Sequence, residues 1–240
     1  MDAMILAAGL GTRLRPLTND RPKALVEIGA VTMLERVARR LVAAGADRLI
    51  INMHPFPAMI RDLVAAHDGF GADVCFSHEP DAPLDTGGGL RRAASMFRRE
   101  APFFLHNCDV ISDIDLRALY HAHSADRHAL ATLAVLPPST SRYLVFDGGG
   151  LCGYSPRDGG REVMVRAPTE TTSRHDFSGI HVVSPSLLDT LPQIDTFSII
   201  THYLELAQQG ARIAAHEQPG VQWLDIGTPE KLEAARDLTG

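Results

Sequence analysis

The chain is poor in cysteine and in large aromatic residues, and it has no long apolar run. Among its 240 residues are three cysteines, one tryptophan and four tyrosines. Cys75, Cys108 and Cys152 show no paired spacing, so we expect buried, reduced thiols and no disulfide framework. No apolar run is long enough to span a membrane, and the first residues lack the basic and apolar regions of a signal peptide. We therefore expect a cytoplasmic protein with no membrane partner.

The chain has no excess of positive charge. It contains 23 lysines and arginines against 29 aspartates and glutamates, a formal net charge of −6. An acidic surface argues against nucleic acid as a partner, and an anionic substrate would need a few local cations or a metal ion. The eleven histidines form no HxxxH or HExxH pair, and no GxSxG motif occurs. The sequence thus offers neither a zinc-binding motif nor a motif for acyl transfer.

Apolar strands alternate with amphipathic helices through the first half of the chain. Strands separated by helices of roughly 10–15 residues indicate βαβ units and a parallel sheet. We predict strands at Ala3–Ala8, Arg48–Asn52, Asp73–His78, Phe103–Asn107 and Ala131–Leu136, and helices at Met33–Ala44, Pro57–His67, Gly89–Arg98 and Leu116–Ala125.

The second half is organised differently. A turn at Asp147–Gly150 favours a hairpin between segments 143–146 and 151–154. Further strands are predicted at Phe177–Val183 and Arg212–His216, and helices at Pro185–Leu191, Ile199–Gln209 and Pro229–Leu238. No linker is long enough to divide residues 1–240. The predicted fold class is α/β, a single-domain, Rossmann-like, three-layer α/β/α arrangement with a mixed, mostly parallel central sheet.

The first strand leads directly into a glycine-bearing loop with positive charge. Glycines let backbone N–H groups approach a polyphosphate, and cations neutralise its charge. The guanidinium of Arg13 can contact two phosphate oxygens, and Lys23 suits the charge that builds up on an α-phosphate. The spacing matches neither the P-loop nor GxGxxG, and a structural turn is the alternative. The predicted nucleotide contacts here are Ala7, Ala8, Gly9, Gly11, Thr12, Arg13 and Lys23.

Two aspartates follow strands at the same predicted edge of the sheet. Asn107 and Asp109 come at and just after one strand end, and Asp225 follows an apolar segment near residue 221. Ligands on open α/β sheets bind beyond the carboxyl ends of the strands, so we expect Asn107 to contact the nucleotide. Two carboxylates that converge on a triphosphate suit Mg²⁺, which prefers oxygen ligands. Asp109 and Asp225 are the predicted metal ligands, with a capping or turn role as the alternative for each.

The segment Glu79–Gly89 is expected to surround the base. Thr86 and the glycines, Gly87 among them, would present backbone N–H and C=O groups to a base edge. An ionised Glu79 can only accept hydrogen bonds. Uracil offers one imide N–H, and guanine offers N1–H and an amine, so Glu79 is compatible with either base and points away from cytosine and adenine. A solvated loop glutamate is the alternative.

Together these motifs resemble the sugar-1-phosphate nucleotidyltransferases over nearly the whole chain. The resemblance rests on the segment Gly9–Thr18 with Pro22 and Lys23, Asp109, the strand segment Phe177–Ile180 and Asp225. It implies the nucleotidyltransferase fold and Mg²⁺-dependent transfer from a nucleoside triphosphate to a sugar-1-phosphate, giving an NDP-sugar and pyrophosphate. We predict catalytic roles for Arg13, Lys23 and Asp109, and sugar-binding positions for Gly179 and Trp223.

Within that family, the short length and the segment Leu84–Gly89 resemble the N-acetylmuramate-1-phosphate uridylyltransferase group. The heptose- and mannose-1-phosphate guanylyltransferases are close neighbours. The resemblance therefore favours UTP as the donor, with GTP as the alternative. We expect residues 1–110 to form a nucleotide-binding half and residues 111–240 a sugar-binding half of one domain, acting as a monomer or homodimer.

One departure concerns the sugar phosphate. Many family members have a Glu-Lys-Pro element after the central hairpin, where the lysine meets that phosphate, and this chain has no lysine in segment 155–164. Four arginines are candidates for its place, namely Arg157, Arg161, Arg166 and Arg174. Segment 139–147 also differs from the pattern expected for the muramate group, so the acceptor sugar stays open.

Two other functions compete with this prediction. Phosphocholine cytidylyl transfer on the same scaffold would need an aromatic box around the quaternary ammonium. One tryptophan and four tyrosines support such a box poorly. A nucleotide or NDP-sugar sensor without catalysis is the alternative from a different class, and Lys23, Asp109 and Asp225 argue against it.

Overall fold

The computed structural model describes residues 1–139, 142–156 and 160–237. Its helices are α1 (Met33–Ala43), α2 (Pro57–Ala66), α3 (Asp85–Ala93), α4 (Leu116–Ala125), α5 (Ile199–Gln208) and α6 (Pro229–Asp237). Its strands are β1 (Asp2–Leu6), β2 (Glu27–Ile28), β3 (Val31–Thr32), β4 (Arg48–Met53), β5 (Asp73–His78), β6 (Phe103–Asn107), β7 (Val110–Ser112), β8 (Ala129–Leu136), β9 (Leu144–Asp147), β10 (Gly150–Tyr154), β11 (Val163–Met164), β12 (Ser173–Val183), β13 (Arg212–Glu217) and β14 (Trp223–Asp225). None of the helices in these ranges has the length and apolar character needed to cross a bilayer.

Four parallel strands form the first half of a ten-stranded sheet. Their order is β6-β1-β4-β5, so β1 lies between two parallel neighbours. This is the arrangement that the alternation of strands and helices predicts. Because parallel strands end at the same edge, the loop after β1 opens beside the ends of β4 and β6.

The long strand β12 joins the two halves of the sheet. It runs antiparallel to β6, β8 and β9, and β13 pairs in parallel with β8. The predicted hairpin is present as the antiparallel pair β9–β10, which β11 extends. The sheet is therefore mixed, as predicted, with antiparallel pairing concentrated in the second half.

Helices cover both faces of the sheet. In β1, Ala3 and Ile5 pack into one buried cluster with residues of α1, α2, α4 and α6, whereas Met4 faces a second cluster with α3 and α5. Alternate strand residues point to opposite faces, so a strand that is apolar at every position must be buried on both sides. The two clusters confirm the three-layer prediction.

The predicted strands and helices are present, but β12 begins at Ser173 and not at Phe177, and two predicted helices differ as well. Helix α3 spans Asp85–Ala93, whereas the sequence predicts a helix over Gly89–Arg98. Three successive glycines disfavour a helix by intrinsic propensity, and close packing around them overrides that preference here. The predicted helix 185–191 is a short 3₁₀ segment, Pro185–Asp189. Of the predicted last helix, Leu238 lies outside the described residues.

Candidate active site

A cavity of about 480 Å³ lies at the carboxyl ends of the parallel strands. Most of the predicted nucleotide-site residues line it, together with several that the sequence did not single out. The lining residues are Leu6, Ala7, Ala8, Gly9, Leu10, Gly11, Thr12, Arg13, Lys23, Ala24, Asn52, Glu79, Pro83, Asp85, Thr86, Asn107, Cys108, Asp109 and Gly227. The structure thus brings the β1 loop, Lys23, Asn107 and Asp109 into one cavity wall, as the sequence predicts.

The glycine loop after β1 turns sharply at Gly11. This residue has φ 62°, in the left-handed region that favours glycine, and a Cβ there would lie 3.0 Å from Cγ2 of Thr18. The Thr18 hydroxyl donates a hydrogen bond to the Gly11 carbonyl at 2.8 Å. The turn places Thr12 and Arg13 on a short 3₁₀ segment at the cavity. A glycine at position 11 is therefore required by the backbone as well as by the close packing.

Lys23 and Asp109 form an ion pair in the cavity wall. The Lys23 ammonium donates a hydrogen bond to Oδ2 of Asp109 at 2.5 Å, and the lysine side chain is 12% exposed. Asp109 follows β6 after one intervening residue, so its position is fixed by the central sheet. A short 3₁₀ segment, Lys23–Leu25, begins at the lysine itself. The pair places one fixed positive and one fixed negative charge on the same wall.

Backbone hydrogen bonds place the segment of Asp225 beside that of Asp109. Strands β7 and β14 pair antiparallel with Asp225 opposite Val110, and the Ile226 amide donates to the Asp109 carbonyl at 3.0 Å. The Asp225 side chain accepts hydrogen bonds from the Gly227 amide at 2.9 Å and from Lys231. A distant segment of the chain thus brings the second aspartate beside the first. Asp225 itself is not part of the cavity lining, but Gly227 is.

Gly227 allows Arg13 to approach Asp225. A Cβ on Gly227 would lie 2.5 Å from Oδ1 of Asp225 and 2.9 Å from Nη2 of Arg13. Any side chain at this position would push these two groups away. The glycine therefore lets the guanidinium of Arg13 and the carboxylate of Asp225 occupy the same corner of the site.

Lys231 was not among the site residues predicted from the sequence. The chain has only two lysines, Lys23 and Lys231, and they pair with Asp109 and Asp225 respectively. The signal was available, because Lys231 lies six residues after Asp225 at the start of α6. Lysine carries a compact charge on a flexible stem, unlike the planar and rigid guanidinium of arginine. Each predicted metal-binding carboxylate thus has a compact cation beside it.

The carboxylates of Asp109 and Asp225 are suitable ligands for a hard divalent cation. Mg²⁺ is typically held by one or two carboxylates, with phosphate and water oxygens as its other ligands. Asp109 directly precedes β7 and Asp225 ends β14, the antiparallel partner of β7, and each carboxylate attracts a cation in the structure. No group of three or more metal-ligating side chains occurs in the described part of the chain. A metal ion here would therefore complete its shell with substrate oxygens and water.

Glu79 lines the cavity and is held in place by groups of the protein. Its side chain is buried, with Oε1 accepting from Nδ2 of Asn52 at 2.7 Å and Oε2 accepting from the Leu84 amide at 2.8 Å. The Asn52 carbonyl oxygen in turn accepts from the Ala7 amide at 2.6 Å. Both carboxylate oxygens bind groups of the protein and Glu79 also lines the cavity, so its contact with a base stays a prediction. Asn52 is the penultimate residue of the parallel strand β4, so the rule that indicated Asn107 could also have found it.

The glycines of α3 serve packing, which corrects the prediction that they present N–H groups to a base. The amides of Gly87 and Gly88 donate to the Phe197 carbonyl at 2.9 and 3.2 Å. A Cβ on Gly87 would overlap the Phe197 ring, and one on Gly88 would overlap the Asp195 carbonyl. Gly87 is buried and does not line the cavity. Thr86 does line it, and its hydroxyl accepts from the Ile199 amide at the start of α5 at 2.9 Å.

Gly179 and Trp223 lie on the β6 and β12 side of the site. Gly179 has φ 82°, and a Cβ there would lie 2.7 Å from Nδ2 of Asn107. The indole N–H of Trp223 donates to the Ser178 carbonyl at 2.8 Å, which ties β14 to β12. The two predicted sugar-binding residues are thus close in the fold to each other and to Asn107. Neither lines the cavity that contains Lys23.

The candidate arginines for the sugar phosphate differ in their surroundings. Arg166 binds the Asp147 carboxylate and the carbonyls of Leu151 and Gly150, and it holds the pKa of Asp147 well below its usual range. This arginine is therefore part of the β9–β10 hairpin structure. Arg174 pairs with Glu162 at 2.8 Å, Arg161 is exposed, and Arg157 lies outside the described residues.

Two residues beside Asn107 are uncharged at neutral pH. Burial raises the pKa of the Cys108 thiol and lowers that of His106 to about 4. Nδ1 of His106 lies 2.8 Å from the Asn107 carbonyl. Because the thiolate form of Cys108 is disfavoured, this cysteine offers neither a nucleophile nor a soft metal ligand. The acidic and basic residues that line the cavity are Arg13, Lys23, Glu79, Asp85 and Asp109.

The chain belongs to the nucleotidyl transferase family, among its sugar-1-phosphate nucleotidyltransferases. Residues 2–147 match the family model described as nucleotidyl transferase. The chain is 33% identical to N-acetylmuramate alpha-1-phosphate uridylyltransferase of Caulobacter vibrioides, over 97% of this chain and 94% of that protein. The protein of the same name from Neisseria meningitidis serogroup B is 29% identical, over 100% and 99% of the two chains. Mannose-1-phosphate guanyltransferase of Schizosaccharomyces pombe is 32% identical, over 96% of this chain and 62% of that protein.

Solved structures show the same fold. HddC from Yersinia pseudotuberculosis complexed with GMP-PN superposes with a TM-score of 0.76 at 23% identity, over 100% of this chain and 99% of that one. A putative glucose-1-phosphate thymidylyltransferase from Bacillus anthracis superposes with a TM-score of 0.81 at 15% identity, over 99% and 95%. Members of the family bind nucleotide and sugar-phosphate substrates and generally use a divalent metal ion.

Proposed function

We propose that this chain transfers a uridylyl group from UTP to N-acetylmuramate-1-phosphate or a related sugar-1-phosphate, giving a UDP-sugar and pyrophosphate. The observation that carries this proposal is the Lys23–Asp109 ion pair in the wall of the cavity beside the glycine loop. Two relatives that match over nearly their full lengths are both named as uridylyltransferases for this sugar phosphate, which supports the choice of substrates.

The proposed reaction is a single in-line displacement. An oxygen of the sugar phosphate attacks the α-phosphorus of UTP and forms a new P–O bond. The bond from the α-phosphorus to the oxygen that bridges to the β-phosphorus breaks, and pyrophosphate leaves with the electron pair. Since the attacking oxygen is already anionic, no general base is needed, and catalysis consists of positioning and charge neutralisation.

Four charged residues in or beside the cavity have a proposed part in this step. Arg13 holds phosphate oxygens with its guanidinium, and Lys23 neutralises the charge that builds up on the α-phosphate. Asp109 and Asp225 would hold Mg²⁺, which when bound supplies further neutralisation of the α-phosphate. In the absence of these charges, the approach of two anionic substrates would be strongly unfavourable.

The remaining predicted contacts divide between the two substrates. We assign the nucleotide to residues 1–110, with the backbone of Ala7, Ala8, Gly9, Gly11 and Thr12 at its phosphates and with Thr86 and Asn107 in the same cavity. We assign the sugar to residues 111–240, with Gly179 and Trp223 near it. Asn107 lies between the two halves, since it lines the cavity and also contacts Gly179.

A guanylyl transfer from GTP to a mannose or heptose phosphate is the second candidate. The relative from Schizosaccharomyces pombe, at 32% identity, is named as a mannose-1-phosphate guanyltransferase and favours this candidate. The chain spans 62% of that protein's length, compared with 94% of the uridylyltransferase from Caulobacter vibrioides. The greater coverage leads us to prefer the uridylyl reaction.

A substrate matrix tests the proposal. Pyrophosphate release is measured with UTP, GTP, CTP and ATP, each against N-acetylmuramate-, mannose-, heptose- and glucose-1-phosphate, with Mg²⁺ present. We expect the highest kcat/KM for UTP with N-acetylmuramate-1-phosphate. A preference for GTP with mannose- or heptose-1-phosphate would favour the second candidate. No pyrophosphate from any pair with folded protein would contradict nucleotidyl transfer to these sugar phosphates.

A further inference from the structure

Three segments that frame the cavity are joined by one buried chain of hydrogen bonds. The Ala7 amide donates to Asn52 Oδ1 at 2.6 Å, Asn52 Nδ2 donates to Glu79 Oε1 at 2.7 Å, and the Leu84 amide donates to Glu79 Oε2 at 2.8 Å. Asn52 is 3% exposed and Glu79 is 1% exposed. We call this chain of bonds the relay, formed by Ala7, Asn52, Glu79 and Leu84.

The direction of every bond in the relay is set by Glu79. An ionised carboxylate only accepts, so the Asn52 amide nitrogen must face it and the Asn52 carbonyl oxygen must face Ala7. The backbone amides of Ala7 and Leu84 can only donate. The two ends of the relay are thus both donors, and the carboxylate supplies the acceptors that make the whole chain of bonds complete.

The fold leaves room for the relay at Gly89. A Cβ on that residue would lie 2.7 Å from Asn52 Nδ2 and 2.9 Å from Glu79 Oε1. Because Gly89 has no side chain, α3 packs directly on the Asn52–Glu79 contact. The backbone around Glu79 is held as well, because its amide donates to the Met53 carbonyl at 2.9 Å.

We propose that Glu79 and Asn52 are positioning residues for the nucleotide, acting through Ala7 on the β1 loop and through Leu84 on the segment before Thr86. Ala7, Ala8, Pro83 and Thr86 line the cavity on either side of the relay, so its geometry sets the distance between two of the walls. The inference rests on the proposed function, since it concerns the nucleotide site of that reaction. In this proposal Glu79 acts on the nucleotide through the groups it binds, and it takes no part in the chemical step.

Moving the carboxylate of the relay from position 79 to position 52 tests the proposal. In Glu79→Gln, one acceptor becomes a donor, so every arrangement of the two amides makes two donors face each other. In Asn52→Asp, two carboxylates face each other. In the double variant Asn52→Asp with Glu79→Gln, the carboxylate at position 52 accepts from Ala7 and from the side-chain amide at position 79, whose carbonyl oxygen accepts from Leu84. The double variant therefore restores all three bonds with the charge moved to the neighbouring member of the relay.

The measurement is the Kd of UTP and of GTP, each with Mg²⁺, by titration calorimetry at about pH 8 and well below the Tm of each variant. Mispairing in the relay shifts the two walls from the spacing that the nucleotide needs, so we expect each single variant to weaken binding of the better nucleotide about ten-fold or more. We expect the double variant to recover to within about three-fold of the wild type. The exposed Asp81→Asn, which makes the same change of chemistry in the same segment, should bind like the wild type.

Two outcomes would overturn the proposal. If the folded single variants bind nucleotide like the wild type and only their Tm falls, the relay stabilises the fold without positioning the nucleotide. If the double variant binds no better than the single variants, the direction of the hydrogen bonds is not what matters. Both are separate from a failure of the proposed reaction, because wild-type nucleotide binding is measured without turnover.

Discussion

Lys23 and Asp109 are joined by a hydrogen bond of 2.5 Å although 86 residues separate them in the sequence. The contact requires that the 3₁₀ segment Lys23–Leu25 lies against the end of β6. It also means that neither side chain is free to adopt other positions without losing a partner. The pair is therefore the most sensitive place to test the proposed chemistry.

Removing either charge should lower turnover without unfolding the protein. We expect Lys23→Ala and Asp109→Ala each to reduce kcat about 10²- to 10³-fold, since one interaction with charge that develops in the transition state is typically worth about 3–4 kcal/mol. Pyrophosphate release under saturating substrates measures this, and circular dichroism checks the fold.

The second lysine supplies a matched comparison for the first. Lys231 also pairs with an aspartate, but its side chain is 45% exposed against 12% for Lys23, and it does not line the cavity. We expect Lys231→Ala to lower kcat much less than Lys23→Ala, because an exposed pair is screened by solvent. Equal losses in the two variants would contradict the assignment of the main cationic role to Lys23.

Close packing at α3 predicts a loss of stability. In Gly88→Ala the new Cβ would meet the backbone carbonyl of Asp195, which cannot move like a flexible side chain. Overpacking of this kind typically costs about 1–3 kcal/mol. Thermal unfolding should therefore show a clearly lower Tm. An unchanged Tm would mean that segment 195–197 does not pack on the helix as described.

These contacts also show what the sequence could and could not predict. The ends of β1 and β6 were predictable, because apolar runs fix the strands and parallel strands present their carboxyl ends at one edge. The Gly88–Asp195 and Asn52–Glu79 contacts were not, because they depend on how segments far apart in the sequence pack together. The same glycines that indicated a phosphate- or base-binding loop are needed for that packing. Composition alone does not separate the two roles.

Buried histidines predict acid sensitivity. Burial lowers the pKa of His181 to about 3 and that of His123 to about 4, from 6.5. At a pH between the lowered pKa of the folded protein and 6.5, the unfolded chain binds more protons than the folded one. The stability that these histidines contribute is therefore complete above a pH of about 6.5 and is lost as the pH falls toward about 4. Each such histidine contributes about 1.4 kcal/mol per pH unit within that window.

Denaturant unfolding between about pH 7.5 and pH 4.5 measures this dependence. His181→Gln retains a group that can bond to the Tyr203 hydroxyl, which lies 2.7 Å from Nδ1 of His181. We expect the variant to have a smaller pH slope by the equivalent of one proton, whatever its absolute stability. If the variant and the wild type have the same slope, His181 is not neutral in the folded protein.

The central claim is that Asp109 and Asp225 hold one divalent ion beside the nucleotide, and anomalous diffraction from Mn²⁺ tests it most directly. Crystals grown with Mn²⁺ and a non-reacting UTP analogue are measured at the manganese absorption edge. The account predicts one anomalous peak within coordination distance of both carboxylates and of the nucleotide phosphates. A nucleotide bound in the cavity with the peak absent, or with the two carboxylates turned to different surfaces, would contradict it.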